Sequence, residues 1–272
     1  MSQDGVPPGP VPSSHGGEHL LDLVRVQARL RAPDGCPWDR EQTHRTLARH
    51  LLEETHELLE AIDAGDDDAM RDELGDLLLQ VTFHAQIAAE DGRWDIDDVA
   101  RGLVRKLIHR HPHVFGTTEV SGTEEVLVNW ERLKADETGG RTGVGEGIPA
   151  SLPALARASK VQRRAAGWGF EWPSLERAME KVREELGELE EAAGDADRAE
   201  AELGDVLLAV VAVARRLGLD AEAALRRSTS TFAARFEATA ALAQARGLDM
   251  ASMPPAGLLA LYEEARTGSD LS

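Results

Sequence analysis

The sequence predicts an all-α protein built from two helical modules. Leucine and alanine dominate the apolar residues of the 272-residue chain, and aromatic residues make up only 4%, a composition that favours helices over β-sandwiches. Apolar positions recur with helical spacing, and no segment has the alternating pattern of a strand. A glycine-rich stretch at 138–147 separates two sets of long helices and indicates a linker.

Four helices are expected in the first half of the chain, after a flexible arm at 1–17. Leucine and valine recur at helical spacing at the start, and a breaker segment rich in proline and aspartate then interrupts the pattern. The last of the four is expected to end at Pro112, because proline has no N–H to continue the helical hydrogen bonds. The four helices are predicted at 18–32, at 41–64, from a turn at 64–68 to about Glu90, and at about 95–111.

The second half repeats this organisation with a further set of helices, again identified by the spacing of apolar residues. They are predicted at 152–166, 173–194, 197–217, 219–245 and 255–266. The chain is therefore expected to have five parts, namely an arm at 1–17, a first domain at 18–116, a connecting segment and linker at 117–150, a second domain at 151–266 and a tail at 267–272.

Charge and cysteine content exclude several classes of protein. The formal net charge is −19, which argues against a chain that holds nucleic acid through a basic surface. The single Cys36 excludes an internal disulfide and a cysteine-built zinc site within one chain. No apolar stretch approaches the roughly 20 residues of a membrane helix, and the N-terminus does not resemble a secretory signal. We therefore expect a cytoplasmic protein with neither nucleic acid nor membrane as a partner.

The most informative feature is an acidic motif that occurs twice. In each half, Glu-Glu-x-x-Glu on one predicted helix is followed by Glu-x-x-Asp on the next. The gap between the two parts is 15 residues in the first copy and 13 in the second. The first copy consists of Glu53, Glu54, Glu57, Glu73 and Asp76, and the second of Glu184, Glu185, Glu188, Glu202 and Asp205.

The spacing of the motif indicates a metal site. Glu53, Glu54 and Glu57 fall within an arc of about 100° on a helix. Apolar residues fill the neighbouring arc and also pack beside the acidic residues of the next helix, so the carboxylates are expected at the edge of a core-facing stripe. The stripe consists of Leu51, Leu52, Leu58, Leu59 and Ile62 on the first helix and of Leu74, Leu77 and Leu78 on the second. A short turn would make the two helices antiparallel and bring both parts of the motif together. Carboxylates at such short distances repel one another unless they are protonated or share a cation. Oxygen ligands favour Mg²⁺, with Mn²⁺ as a substitute, and Mg²⁺ commonly bridges to phosphate, which suggests nucleotide chemistry.

Three alternatives to this interpretation stay open. A glutamate-rich helix is often only a solvated face, although the duplication disfavours that explanation. Glu53 and His56 match the Glu-x-x-His of di-iron helical bundles, but Gly187 stands at the corresponding position of the second copy. Three histidines around Pro112 would offer nitrogen ligands for zinc, although we interpret them as part of a structural helix end. These histidines are His109, His111 and His113.

The chain resembles the MazG family of nucleoside triphosphate pyrophosphohydrolases over about residues 18–266. Beyond the acidic motifs, the resemblance rests on five segments, which are CPWDREQT at 36–43, RHPHVFG at 110–116, WERLK at 130–134, IPASLPAL at 148–155 and GWGFEW at 167–172. It implies a tandem all-α pyrophosphohydrolase fold that assembles as an intertwined homodimer. It also implies Mg²⁺-dependent hydrolysis of nucleoside triphosphates to the monophosphate and pyrophosphate.

The resemblance also implies site residues, position by position. The metal ligands would be Glu54, Glu57, Glu73 and Asp76 in the first domain, and Glu185, Glu188, Glu202 and Asp205 in the second. Lys134 matches a catalytic lysine, and Glu53 or Glu184 is expected to orient the attacking water or to accept its proton. The residues expected to contact phosphate or nucleotide are Lys106, Arg110, Arg198, Arg235, Tyr262 and Arg266.

The second domain departs from the family at two positions. The family's pattern Asn-x-Lys-Phe-x-x-Arg-Phe reads TSTFAARF here, so Thr229 and Thr231 replace the asparagine and the lysine, while Arg235 remains. Loss of a phosphate-binding lysine is expected to weaken triphosphate binding. Either domain, or both, are therefore candidates for activity, and the alternative function is a catalytically weak, nucleotide-sensing or scaffold dimer.

Overall fold

The computed structural model describes residues 17–122, 126, 129, 130, 133 and 143–269, and all regular secondary structure in them is helical. The predicted all-α fold is therefore confirmed for the described chain. The chain divides into two compact units, Met1–Gly140 and Arg141–Ser272, called the first and the second unit below. None of the described helices is long and apolar enough to cross a membrane.

The first unit is a helical hairpin with shorter helices around it. Its helices are α1 (Glu18–Arg31), α2 (Pro37–Glu41), α3 (His44–Ala64), α4 (Asp67–Glu90), α5 (Ile96–Arg110) and α6 (Pro112–Phe115). The hairpin consists of α3 and α4, and both α1 and α5 pack against α4. The predicted arm lies outside the described residues up to position 16.

Two details of the predicted helices in this unit are wrong. The segment interpreted as a breaker contains helix α2, because Pro37 has the fixed φ that suits the first turn of a helix. The long helix begins at His44, later than predicted, because Thr43 and Thr46 form a capping box there. The predicted helix end before Pro112 is confirmed, and Pro112 itself begins α6.

The turn between α3 and α4 takes only two residues. Gly65, at φ 67°, ends α3 in the left-handed conformation that glycine adopts without strain. The Asp66 carboxylate accepts hydrogen bonds from the backbone N–H groups of Asp68 and Ala69 and so caps α4. This tight turn brings Glu-x-x-Glu of α3 next to Glu-x-x-Asp of α4.

The apolar core of the first unit lies towards the open end of this hairpin. Leu47, Phe83 and Ile87 form its buried centre. Five apolar residues near the acidic motif are instead 38–60% exposed, so their expected place in a core-facing stripe is wrong within this chain, whereas Leu58, Leu59 and Leu77 are half-buried. A two-helix hairpin buries only one stripe of each helix, and the second stripe needs another surface. The exposed residues are Leu51, Leu52, Ile62, Leu74 and Leu78.

The second unit is built around a similar hairpin. Its helices are α7 (Ala154–Ala166), α8 (Leu175–Ala192), α9 (Ala196–Arg216), α10 (Ala221–Ala245) and α11 (Pro255–Ser269), with a short 3₁₀ helix at Met250–Ser252. Helices α8 and α9 form the hairpin, α7 packs on α9 and α10, and α11 packs on α10. Helix α11 continues beyond its predicted end at 266, and residues 270–272 lie outside the described residues.

Part of the predicted linker packs against the second unit. The Arg164 guanidinium of α7 donates hydrogen bonds to the backbone carbonyls of Val144, at 3.1 Å, and Glu146. Ile148 is buried. Residues 144–148 therefore belong physically to the second unit, while the exact domain boundaries stay a prediction.

Candidate functional site

The hairpin of the first unit gathers carboxylates from both of its helices. Glu54 and Glu57 lie on α3 and Glu73 lies on α4, and one carboxylate oxygen from each can be chosen so that all three are within 4.8 Å of one another. Asp76, one turn after Glu73, is near enough to affect the charge state of both Glu54 and Glu73. These four residues are called the first acidic cluster.

Burial and mutual repulsion act together on the first acidic cluster. Burial, and then the negative charges of Asp76, Glu57 and Glu73, raise the pKa of Glu54 above its ordinary value. The pKa of Glu73 is raised by burial and by the charges of Glu57 and Asp76. The Glu73 Oε2 atom is buried and has no hydrogen-bond partner among the described residues. A buried carboxylate oxygen without a partner is costly, so this cluster fits a cation.

The second unit builds the equivalent cluster on α8 and α9. One oxygen each from Glu185, Glu202 and Asp205 lie within 4.8 Å of one another, so Asp205 takes part in the close group here, as Glu57 does in the first unit. The neighbouring Glu185 carboxylate, then burial and the negative charge of Glu202, raise the pKa of Glu188. These four residues are called the second acidic cluster.

Two basic side chains contact the second acidic cluster. The Lys181 ammonium lies 2.7 Å from Glu185 and 2.6 Å from Glu184. Its ion pairs with these carboxylates raise the pKa of Lys181. The Arg198 guanidinium lies 3.6 Å from Glu202. Arg198 was predicted to contact nucleotide. Lys181 was missed, although its position three and four residues before two glutamates is a recognisable helical ion-pair spacing.

The two glutamates predicted to handle the attacking water flank the clusters. Glu53 is exposed, and its Oε2 atom accepts a hydrogen bond from Nδ1 of His50 at 3.0 Å. Glu184 is also exposed and pairs with Lys181. Neither carboxylate belongs to the close groups of potential ligands. Their role in handling water stays a prediction.

The predicted phosphate contacts of the first unit lie on α5 and beyond it. Lys106 is exposed. Arg110 is half-buried, with its guanidinium 5.3 Å from the ring centre of Trp130. Lys134 lies outside the described residues. The assignment of all three residues to phosphate stays a prediction.

The predicted nucleotide contacts of the second unit lie on α10 and α11. Arg235 is half-buried, and Arg266 pairs with Glu263 at 2.8 Å. The Tyr262 ring centre is 5.8 Å from that of Phe232. At the two departures from the family pattern, the hydroxyl groups of Thr229 and Thr231 each donate to a backbone carbonyl of α10 at 2.9 Å.

The histidine-based alternatives gain no support from the described part of the chain. The groups of three close metal-ligand candidates there consist of carboxylates alone. His56, needed for a di-iron motif, is exposed and lies in neither group. His111 contacts the Leu107 carbonyl at 2.6 Å and packs edge-on to Trp130, as expected of a structural helix end.

Comparison with known proteins identifies the family. The sequence model of the MazG nucleotide pyrophosphohydrolase domain matches residues 42–115 and 174–238, which contain the two acidic clusters. The chain is 44% identical over 251 residues to "Nucleoside triphosphate pyrophosphohydrolase/pyrophosphatase MazG" of Thermotoga maritima, covering 92% of this chain and 96% of that protein. It is 45% identical over 235 residues to "Nucleoside triphosphate pyrophosphohydrolase" of Escherichia coli, covering 84% and 89%. With two domain matches and relatives that align over nearly their whole length, the chain belongs to the MazG nucleotide pyrophosphohydrolase family.

Proposed function

We propose that this protein hydrolyses nucleoside triphosphates, ribo- or deoxyribo-, canonical or aberrant, to the nucleoside monophosphate and pyrophosphate, with Mg²⁺ as the metal and Mn²⁺ as a substitute. The observation that carries the proposal is the convergence of Glu-x-x-Glu and Glu-x-x-Asp in a hairpin of each unit. The names of the relatives from Thermotoga maritima and Escherichia coli agree with this reaction.

The chemistry of the two clusters fits a hard divalent cation. All their potential ligand atoms are oxygens, which Mg²⁺ prefers. The buried Glu73 Oε2 atom has no hydrogen-bond partner among the described residues, and a bound cation would compensate its charge. A bound dication would neutralise charge that develops on the phosphates during hydrolysis. The ligands would be Glu54, Glu57, Glu73 and Asp76 in the first unit, and Glu185, Glu188, Glu202 and Asp205 in the second.

The remaining site residues would have three different roles around the clusters. Glu53 and Glu184 would orient the attacking water or accept its proton, since both are carboxylates beside the ligands. Lysine and arginine would bind the phosphates as cations, and Tyr262 would pack against the nucleoside. The cations are Lys106, Arg110 and Lys134 for the first domain, and Arg198, Arg235 and Arg266 for the second.

A homodimer is part of the proposal. The exposed leucines and isoleucine near the first acidic cluster form an apolar stripe that a second copy of the chain would cover. The domain boundaries at 18–116 and 151–266, and a location in the cytoplasm, likewise remain proposals from the sequence.

Product analysis by chromatography tests the reaction directly. The full chain would be incubated with each common NTP and dNTP, and with dUTP and ITP, with and without Mg²⁺. We expect monophosphate and pyrophosphate only when Mg²⁺ is present, and the panel would rank the bases. Diphosphate with orthophosphate would mean that a different bond is cleaved and would contradict the proposal.

A nucleotide-sensing or scaffold dimer is the second candidate, and it applies most to the second unit. The observation that favours it is the pairing of Lys181 and Arg198 with the second acidic cluster, together with Thr231 in place of a lysine. Binding of triphosphate without turnover of any nucleotide in the panel would replace the hydrolase proposal by this one.

A further inference from the structure

The second acidic cluster carries its own counter-ions. The Lys181 ammonium is 2.7 Å from Glu185, whose side chain is only 7% exposed, and the Arg198 guanidinium is 3.6 Å from Glu202. Two of the four carboxylates in this cluster therefore already have a positive partner. A divalent cation that enters must compete with these ion pairs, because each carboxylate oxygen would otherwise be shared between two positive charges.

The first acidic cluster lacks such counter-ions among the described residues. When the two motifs are aligned, His50 stands where the second unit has Lys181, and Ala69 stands where it has Arg198. His50 contacts Glu53, which is outside the cluster, at 3.0 Å. No lysine or arginine of the described chain forms an ion pair with Glu54, Glu57, Glu73 or Asp76.

The side chains involved allow the two positive charges to respond differently to a metal ion. Lysine has a flexible stem and a compact charge, so its ammonium can leave Glu185 without moving the backbone. Arg198 is held also by Glu191, at 4.0 Å, and is farther from its cluster carboxylate than Lys181 is. Lys181 is thus the main competitor for the position that a dication would take.

We propose that Lys181 is a resident counter-ion of the second acidic cluster, so that a divalent cation binds first at the first cluster and reaches the second only by displacing the Lys181 ammonium from Glu185. This inference rests on the proposed function, since it takes both clusters to be metal sites. It makes Lys181 a positioning residue that sets the metal affinity of one of two clusters with the same ligand pattern.

Mn²⁺ titration of the full chain without nucleotide tests this inference. Free Mn²⁺ is followed by electron paramagnetic resonance in two variants that each leave one cluster intact, Glu188→Ala for the first and Glu57→Ala for the second. We expect tighter binding in Glu188→Ala than in Glu57→Ala. Adding Lys181→Met to Glu57→Ala should tighten Mn²⁺ binding about tenfold, as loss of one nearby positive charge at partial exposure predicts.

Matched variants separate the charge of Lys181 from its packing. Lys181→Gln should reproduce the tightening, and Lys181→Arg should leave the Mn²⁺ affinity near that of the parent. His50→Met, the aligned change in the first unit, should leave Mn²⁺ binding in Glu188→Ala unchanged, because His50 does not contact the cluster. Circular dichroism checks that each variant keeps its helices. If Lys181→Met does not fold, Lys181→Gln takes its place in the Mn²⁺ titration.

The outcomes distinguish failure of the inference from failure of the proposed function. Equal Mn²⁺ affinity of the two single-cluster variants, or no tightening on removal of the Lys181 charge, would overturn the inference and leave both metal sites in place. Absence of Mn²⁺ binding by the unaltered chain, or unchanged binding when both Glu57 and Glu188 are replaced by alanine, would overturn the proposed sites themselves.

Discussion

The first unit leaves its acidic cluster without a lysine or arginine partner in the described chain, whereas the second unit places two cations against its own. The acidic sequence motif is the same in both units, and so is the helical hairpin that presents it. The difference arises at Lys181 and Arg198, each four residues before a ligand glutamate. A duplicated ligand motif therefore does not make two equivalent sites, because the residues one helical turn away set the charge that a metal ion meets.

Loss of a predicted metal ligand should produce the largest difference in hydrolysis rate between the two units. Glu57→Ala removes a carboxylate from the first acidic cluster, and Glu188→Ala removes the aligned one from the second. We expect Glu57→Ala to lower the Mg²⁺-dependent rate of triphosphate hydrolysis by about a hundredfold or more if the first unit carries the activity, and Glu188→Ala to lower it less. The rate of pyrophosphate release measures both.

A control variant keeps this measurement interpretable. Glu60→Ala removes an exposed carboxylate from the same helix α3, outside the cluster, and should leave the rate unchanged. Near-normal activity of a chain that carries both Glu57→Ala and Glu188→Ala would contradict the assignment of the clusters as the metal sites.

A charge introduced on α10 should strengthen the weaker unit. Thr231→Lys restores the lysine of the family pattern, and the Thr231 hydroxyl that it removes donates a hydrogen bond to the Arg227 carbonyl. We expect KM for a triphosphate to fall about tenfold in the Glu57→Ala background, since a charge-assisted hydrogen bond contributes about 1.5–3 kcal/mol. Ser230→Lys adds the same charge about 100° around the helix and serves as the control; an equal fall in KM there would indicate a nonspecific charge effect.

Glycine in the acidic motif offers a smaller, structural comparison. Gly75 and Gly204 occupy the same position of the two motifs, and a Cβ atom at either would meet no atom within 4 Å. Alanine at either position should therefore raise the free energy of unfolding by about 1 kcal/mol, through helix propensity alone. Urea denaturation without metal measures the change, with Gly102→Ala in α5, also unobstructed, as the reference. A lower free energy of unfolding at only one of the two positions would indicate that another surface packs against that glycine.

The smallest expected difference between the units concerns pH. His44 and His84 join α3 to α4, with 2.7 Å between their Nδ1 atoms, while Leu175 and Val213 occupy the aligned positions of the second unit. Burial, and then the neighbouring His44, lower the pKa of His84 below the ordinary histidine value of 6.5. Folding thus favours neutral His84, so its contribution to stability is present above pH 6.5 and is lost as the pH falls through the lowered pKa.

Hydrogen exchange would resolve this pH effect by unit. After correction for intrinsic rates, protection of α3 and α4 should decrease between about pH 7.5 and about pH 5.5, and protection of α8 and α9 should change less. His84→Gln should reduce the difference between the units, while His56→Gln, at an exposed position of α3, should not. An equal decrease in both units of the unaltered chain would contradict this account.

Most helices of the fold could be predicted from local sequence. Helices such as α4, α5 and α9 lie close to their predicted positions because apolar periodicity and capping residues act within a few turns of chain. The errors in helix position occurred at Pro37 and Thr43, near the starts of α2 and α3. There a single proline or capping residue determines where a helix begins. The expected core was wrong at Leu52 and Leu74, because helical spacing shows that a stripe is apolar but not what covers it.

The sequence by itself determined that the protein is helical and that each hairpin carries Glu-x-x-Glu beside Glu-x-x-Asp, since both follow from a 3.6-residue period and a short turn. Only the tertiary structure decided which carboxylates of neighbouring helices converge and which of their oxygens are buried. One oxygen each from Glu54 and Glu57 on α3 meets one from Glu73 on α4, and the Glu73 Oε2 atom is buried with no hydrogen-bond partner in the described chain. Burial and Coulomb interactions depend on distances across neighbouring helices, and these distances are fixed by packing rather than by residue spacing.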